Sequence, residues 1–128
     1  MPITEYRELR FDAASLRAAL QVRLVEMNGR QGEAAAPAGT VVSASVTRAD
    51  PLQLSVEIAS PEGTQRGSIT MEAVEVAAAL MRACMQRGIR LPRQGGKSVR
   101  ATQAGVALVV TLAHPETETP RRLPGGRA

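Results

Sequence analysis

The chain has 128 residues, 44% of them hydrophobic and 22% charged, the composition of one ordinary folded domain, and at this length roughly two thirds of the unfolded surface is hidden on folding. A single cysteine, Cys84, and a single histidine, His114, exclude a disulfide framework and leave too few soft ligands for a zinc or iron–sulfur centre, so no metal and no cofactor is expected. The net charge is +4 and the pI about 10.5; charges crowd the first eight residues and no run approaches the roughly 18 apolar residues of a membrane span, which predicts a cytoplasmic address.

In chain order, Leu9 and Phe11 alternate in a short lead that reads as an edge strand, and Asp12 stands where a helix N-cap belongs. Leu16, Leu20, Leu24 and Met27 then recur at spacings of four, four and three, and Asn28-Gly29 is a stop signal, so a helix is predicted over 13–27. Residues 30–39 are small, glycine-containing and aperiodic and read as a loop. Val42, Ala44 and Val46, then Leu52, Leu54, Val56 and Ile58, alternate with polar residues around Ala49-Asp50-Pro51, which predicts an antiparallel hairpin with one wet face. Residues 60–67 read as a turn-rich connection to an N-cap at Thr70. Val74, Ala77, Leu80, Met81, Cys84 and Met85 form the apolar stripe of a second helix, stopped by Gly88. A second hairpin is predicted from 97–102 and 106–113, with Val106, Leu108, Val110 and Leu112 on one face. Its other face, Ala107, Val109, Thr111 and Ala113, is apolar enough to predict a cover, by the N-terminal segment or by a second copy of the chain. The domain is therefore placed at 1–114, and the proline- and glycine-rich residues 115–128 read as a disordered tail.

The order helix, hairpin, helix, hairpin suggests an internal duplication with half-repeats 12–62 and 70–116. Sliding Leu52–Glu62 onto Val106–Glu116 matches Leu54 with Leu108, Val56 with Val110, Ala59 with Ala113, Pro61 with Pro115 and Glu62 with Glu116. An offset of 60 lays Leu16, Leu20 and Leu24 on Val76, Leu80 and Cys84. The fold expected from these elements is α+β, a two-layer sandwich with one four-stranded antiparallel sheet and both helices on one face.

Charge is unevenly distributed. Residues 1–75 hold seven basic and ten acidic side chains, whereas 76–115 hold six basic and no acidic ones. Fifteen of the 16 basic residues are arginine, and alanine, arginine, glycine and proline fill 55 positions, so part of the excess reflects GC-rich codons. Arg87 and Arg90 suit the C-terminal end of the second helix, but Arg93, Lys97 and Arg100 lack that structural reason. Gly95-Gly-Lys-Ser98 looks like the end of a phosphate-binding loop, yet Leu91 stands where its first glycine belongs and the string precedes a strand rather than a helix.

Aromatic platforms for stacking bases are lacking near this run, because Tyr6 and Phe11 lie outside it. Cys84 sits on an apolar helix stripe and His114 at the start of the tail, so no nucleophile and base pair up in sequence. The reading reached is a non-enzymatic, self-associating adaptor. It docks an acidic protein through Arg87, Arg90, Arg93, Lys97 and Arg100 and forms a homodimer through Ala107, Val109 and Thr111. A sequence-tolerant nucleic-acid binder using the same basic residues is the alternative, and an enzyme working through carboxylates at the repeat interface is a third.

Overall fold

A computed structural model describes residues 3–31 and 39–115 of the chain. Six strands and two helices follow in the order β1 (Ile3–Asp12), α1 (Ala13–Gln31), β2 (Thr40–Ala49), β3 (Leu52–Ala59), β4 (Arg66–Glu72), α2 (Ala73–Gln86), β5 (Gly96–Ala101) and β6 (Gly105–His114). The fold is α+β, but the expected four-stranded sheet is replaced by two three-stranded antiparallel sheets, ordered β1-β6-β5 and β2-β3-β4. The two hairpins do not pair with each other. Each takes a third strand from outside itself: β1, from the start of the chain, lies along β6, and β4, the next strand in sequence, lies along β3.

Two strands account for the difference. The lead segment is a ten-residue strand whose polar run Glu5, Arg7, Glu8 and Arg10 is carried by pairing with β6, from Ile3 opposite His114 to Asp12 opposite Gly105. Thr70 does not cap α2; it lies within β4, where Ile69 and Met71 turn inward opposite Val56 and Leu54. Helix α1 also passes through Asn28-Gly29 to end at Gln31. Most of the expected 30–39 loop, and the tail beyond Pro115, lie outside the described residues.

The core forms where α1 and α2 pack on each other and on the inner faces of both sheets. Its residues repeat at one interval: Phe11 and Met71, Leu16 and Val76, Ala19 and Ala79, Leu20 and Leu80, Leu24 and Cys84 are all buried and sixty positions apart. Strand, helix and hairpin occur twice in the same order, once from β1 and once from β4, which is not the order of the expected half-repeats 12–62 and 70–116. The sheet register also corrects the strand alignment expected above. Tyr6, Thr111 and Gly96 align across one sheet as Arg66, Ala59 and Thr40 do across the other. By sheet position Ala59 thus corresponds to Thr111 rather than to Ala113, two residues out of step with the expected alignment.

At the start of α1 the Asp12 carboxylate accepts the Ser15 N–H at 2.8 Å. That hydrogen bond, chiefly, holds the Asp12 carboxyl below its ordinary pKa. The capping stabilisation is therefore present above the usual carboxylate range and is lost as acid protonates Asp12. Glu72, at the same place before α2, makes no side-chain cap.

Leu20 and Leu80 are both fully buried, so replacing either with alanine is expected to cost about 2–5 kcal/mol. Val25→Ala, at a residue 59% exposed, is expected to cost less than about 0.5 kcal/mol. Urea unfolding of the three variants checks both statements, and equal losses at Leu20 and Val25 would contradict the assigned core.

Candidate functional site

Helix α2 ends in a Schellman motif. Gly88 takes a positive φ of 74°, its N–H bonds the Met85 carbonyl at 3.1 Å, and the Ile89 N–H bonds the Cys84 carbonyl at 2.9 Å. Ile89 and Leu91 then pack against the core, and the Arg7 Nη1 donates to the Arg90 carbonyl at 3.0 Å. The connection carrying Arg87, Arg90 and Arg93 is therefore pinned to the body at three places, with the three arginines themselves exposed.

Ion pairing separates these cations from the rest. Glu26 is met by Arg23 and Arg82, Glu75 by Arg23 at 2.6 Å, Glu57 by Arg66, Glu72 by Arg48 and Glu5 by His114. Arg23, Glu26, Glu75 and Arg82 thereby link α1 to α2, and Arg23 is only 14% exposed. Among the described residues, Arg87, Arg90, Arg93 and Lys97 face no carboxylate within salt-bridge distance; Arg7 and Arg17 share that state elsewhere.

The five basic residues expected to act together are not brought together. Arg87, Arg90 and Arg93 share the pinned connection. Lys97 lies on the helix-facing side of β5, opposite buried Val110, and lines a cleft beside α2. Arg100 is on the opposite, outer face of that sheet, bonded to Glu8. Sequence reasoning missed this because the partner is 92 residues away; the odd and even alternation of β5 was the available signal that Lys97 and Arg100 diverge.

The same bridge explains the outer face of β6. Arg100 on β5 and Arg10 on β1 both bond Glu8, and β6 runs between those two strands. A side chain reaching from β5 to β1 must cross β6, since neighbouring strands are about 4.8 Å apart. Ala107 sits between Arg10 and Arg100, Val109 between Glu8 and Ser98, and their exposures are 0% and 8%. The cover predicted for this face is thus supplied within the chain, while Thr111 is half-buried and Ala113 exposed.

Cys84 is buried, and burial pushes its thiol pKa up, against weaker opposing effects of Arg7 and Arg87. A protonated, packed thiol is a poor nucleophile. No three residues among His, Cys, Asp and Glu meet as metal ligands among the described residues. No described helix is long and apolar enough to cross a membrane. Comparison with family models, with curated proteins and with solved structures finds no match to the chain.

Glu8 is 14% exposed and holds two arginines, so Glu8→Ala is expected to cost about 1–3 kcal/mol by removing the charge-assisted hydrogen bonds to both from over Val109. Arg66→Ala removes an exposed pair with Glu57 and is expected to cost less than about 1 kcal/mol. Denaturant midpoints order the two, and the reverse order would remove Glu8 from its role as the clasp of β6. The Cys84 thiol is expected to react with a disulfide reagent only at the rate of unfolding; rapid stoichiometric labelling in native buffer would contradict its burial.

Proposed function

We propose that the chain is a small non-enzymatic binding module that docks an acidic protein surface through Arg87, Arg90 and Arg93. One observation carries this reading: the carboxylates elsewhere are largely matched by arginines of the same chain, while a pinned segment holds three exposed cations with no matching acid. Cations fixed in place lose little freedom on meeting a partner, and complementary charge speeds encounter. Arginine suits the task because its planar fork can grip a carboxylate with two hydrogen bonds.

Nucleic acid offers the same charge, but the proposed surface contains no aromatic side chain on which a base can stack. Self-association through β6 would have to proceed over or around the Arg100–Glu8–Arg10 bridge. A copy of the chain would meet that face most readily at Thr111 and Ala113, where it is open. The expected place of work is the cytoplasm.

The test is fluorescence anisotropy with a labelled peptide alternating glutamate and serine and with labelled duplex DNA, each at two salt concentrations. The peptide is expected to bind with a salt-sensitive affinity that falls about tenfold or more when Arg87, Arg90 and Arg93 are all replaced by alanine. Duplex binding stronger than peptide binding, and lost in the same variant, would replace this reading with the nucleic-acid one. Light scattering of the protein at high concentration reports the oligomeric state in the same samples.

A further inference from the structure

The equivalent registers of the two half-units expose one place where they differ. On α1, Gln21 lays its carboxamide along the free edge of β2: Nε2 donates to the Gly39 carbonyl at 3.0 Å, and Oε1 accepts the Val41 N–H at 2.7 Å. Those are the two hydrogen bonds that one residue of an adjoining parallel strand would make through its own N–H and C=O, so the amide stands in for a neighbouring strand.

The corresponding groups of the second half are fixed by two glycines. Gly39 and Gly95 both have positive φ, 147° and 96°, and each packs where a Cβ would strike a carbonyl oxygen, of Ala59 and Thr111 respectively. By sheet position Gly95 and Lys97 correspond to Gly39 and Val41, and Met81, sixty residues after Gln21, lines one cleft with Lys97. A thioether cannot make the paired amide bonds. Among the described residues, no hydrogen bond outside sheet pairing reaches the Gly95 carbonyl or the Lys97 N–H. What remains is an open cleft of about 380 Å³ floored by Val74, Ala77 and Met81 and walled by Lys97, Val99 and the Asp50-Pro51 turn. Val74, 78% exposed, is the most exposed large apolar side chain of the described structure.

We propose that this cleft receives an extended segment of the acidic partner, one residue of which pairs through its own N–H and C=O with the Gly95 carbonyl and the Lys97 N–H at the edge of β5 and sets an apolar side chain against Val74 and Met81. The inference rests on the acidic-partner reading and names the form that partner takes. Charge complementarity argues for this occupant. The Lys97 side chain lines the cleft on its β5 side, with Asp50 of the β2–β3 turn the one acid of the lining; Arg93 lies four residues before Lys97, and no acidic residue occurs between 76 and 115. An extended chain turns every second side chain to the same side, so a carboxylate next to an apolar residue reaches the basic rim while its neighbour enters the cleft. Met81 suits such a floor because an unbranched thioether adapts to the side chain it meets. A polypeptide supplies at successive residues both the N–H and C=O pair that stands where Gln21 stands on β2 and an apolar side chain beside a carboxylate.

The test compares two labelled peptides of equal charge, one alternating glutamate with leucine and one alternating glutamate with serine. The leucine peptide is expected to bind about tenfold tighter or better, the gain from burying one such side chain. Met81→Gln, which restores the closure seen in the first half, is expected to reduce that preference to within about twofold. Binding of the serine peptide and the thermal midpoint should be unchanged, and Val74→Ser should weaken the preference in the same direction. Equal affinity for the two peptides, with both lost in the triple arginine variant, overturns the cleft but leaves the acidic-partner reading standing. A leucine preference that survives both Met81→Gln and Val74→Ser also overturns it. Binding of neither peptide overturns both readings, and duplex binding in their place identifies the basic segment as a nucleic-acid surface.

Discussion

The exchange of lead strands holds the molecule together. β1 begins the chain yet completes the sheet that the last hairpin starts, and β4 begins the second half yet completes the sheet of the first. Neither half has a three-stranded sheet of its own, so the central strands β3 and β6 are paired on both edges only when both halves are in place. Two strands alone are marginal in water, and a third with a covered apolar face is what gives a sheet independent stability. The helices follow from this. Each begins directly at the end of an exchanged strand, so α1 and α2 meet each other and both sheets, and the five matched pairs of buried residues from Phe11 and Met71 to Leu24 and Cys84 line the contact.

The electrostatics follow from the same arrangement. Pairing β1 with β6 brings Glu8 between Arg10 and Arg100, and the helix contact brings Arg23 and Arg82 to Glu75 and Glu26. Acids from the first part of the chain are thereby matched to bases from both parts. The three arginines left on the connection after α2 are a residue of that matching, held outward by the Schellman turn, by inward Ile89 and Leu91 and by the Arg7 hydrogen bond. Unbalanced charge on a fixed segment is a different physical object from a charge run on a mobile loop, because ordering it on contact costs little conformational entropy.

Both helices and both hairpins were legible from periodicity, since Leu16, Leu20 and Leu24, and the alternation of Leu52 to Ile58, face one side at helical and strand spacing. β4 was not, because only Ile69 and Met71 point inward and Thr70 between them resembles a helix cap. The full length of β1 was hidden by four charged residues, of which Glu5 and Glu8 find His114 and Arg100 far along the chain. The expected strand alignment shows how a periodic pattern can match at more than one register. The side chains of a strand recur every two residues, so a slip of two preserves every inward and outward assignment and leaves the identities looking meaningful. Only the pairing of Ala59 and Thr111 with their neighbours removes the ambiguity. The basic segment was legible as charge, but its division among a pinned turn, a cleft and an outer face was not, because that division depends on which face of β5 each side chain takes.

An open strand edge is a hazard that folded proteins usually blunt with charge, a bulge or a cover. β2 has a cover in Gln21 and register irregularities at Val41/Ser43 and Val46/Arg48. β5 has neither the amide nor a recorded bulge, and the residue in the covering position is the one whose side chain cannot pair with backbone. A lysine on the same stretch protects such an edge against a second apolar strand, since its ammonium resists burial. It does not protect the edge against a strand that brings its own carboxylate. Under the proposed docking, Met81 and Lys97 together would admit an acidic segment and resist a neutral one, a form of discrimination that depends as much on the rejected partner as on the accepted one.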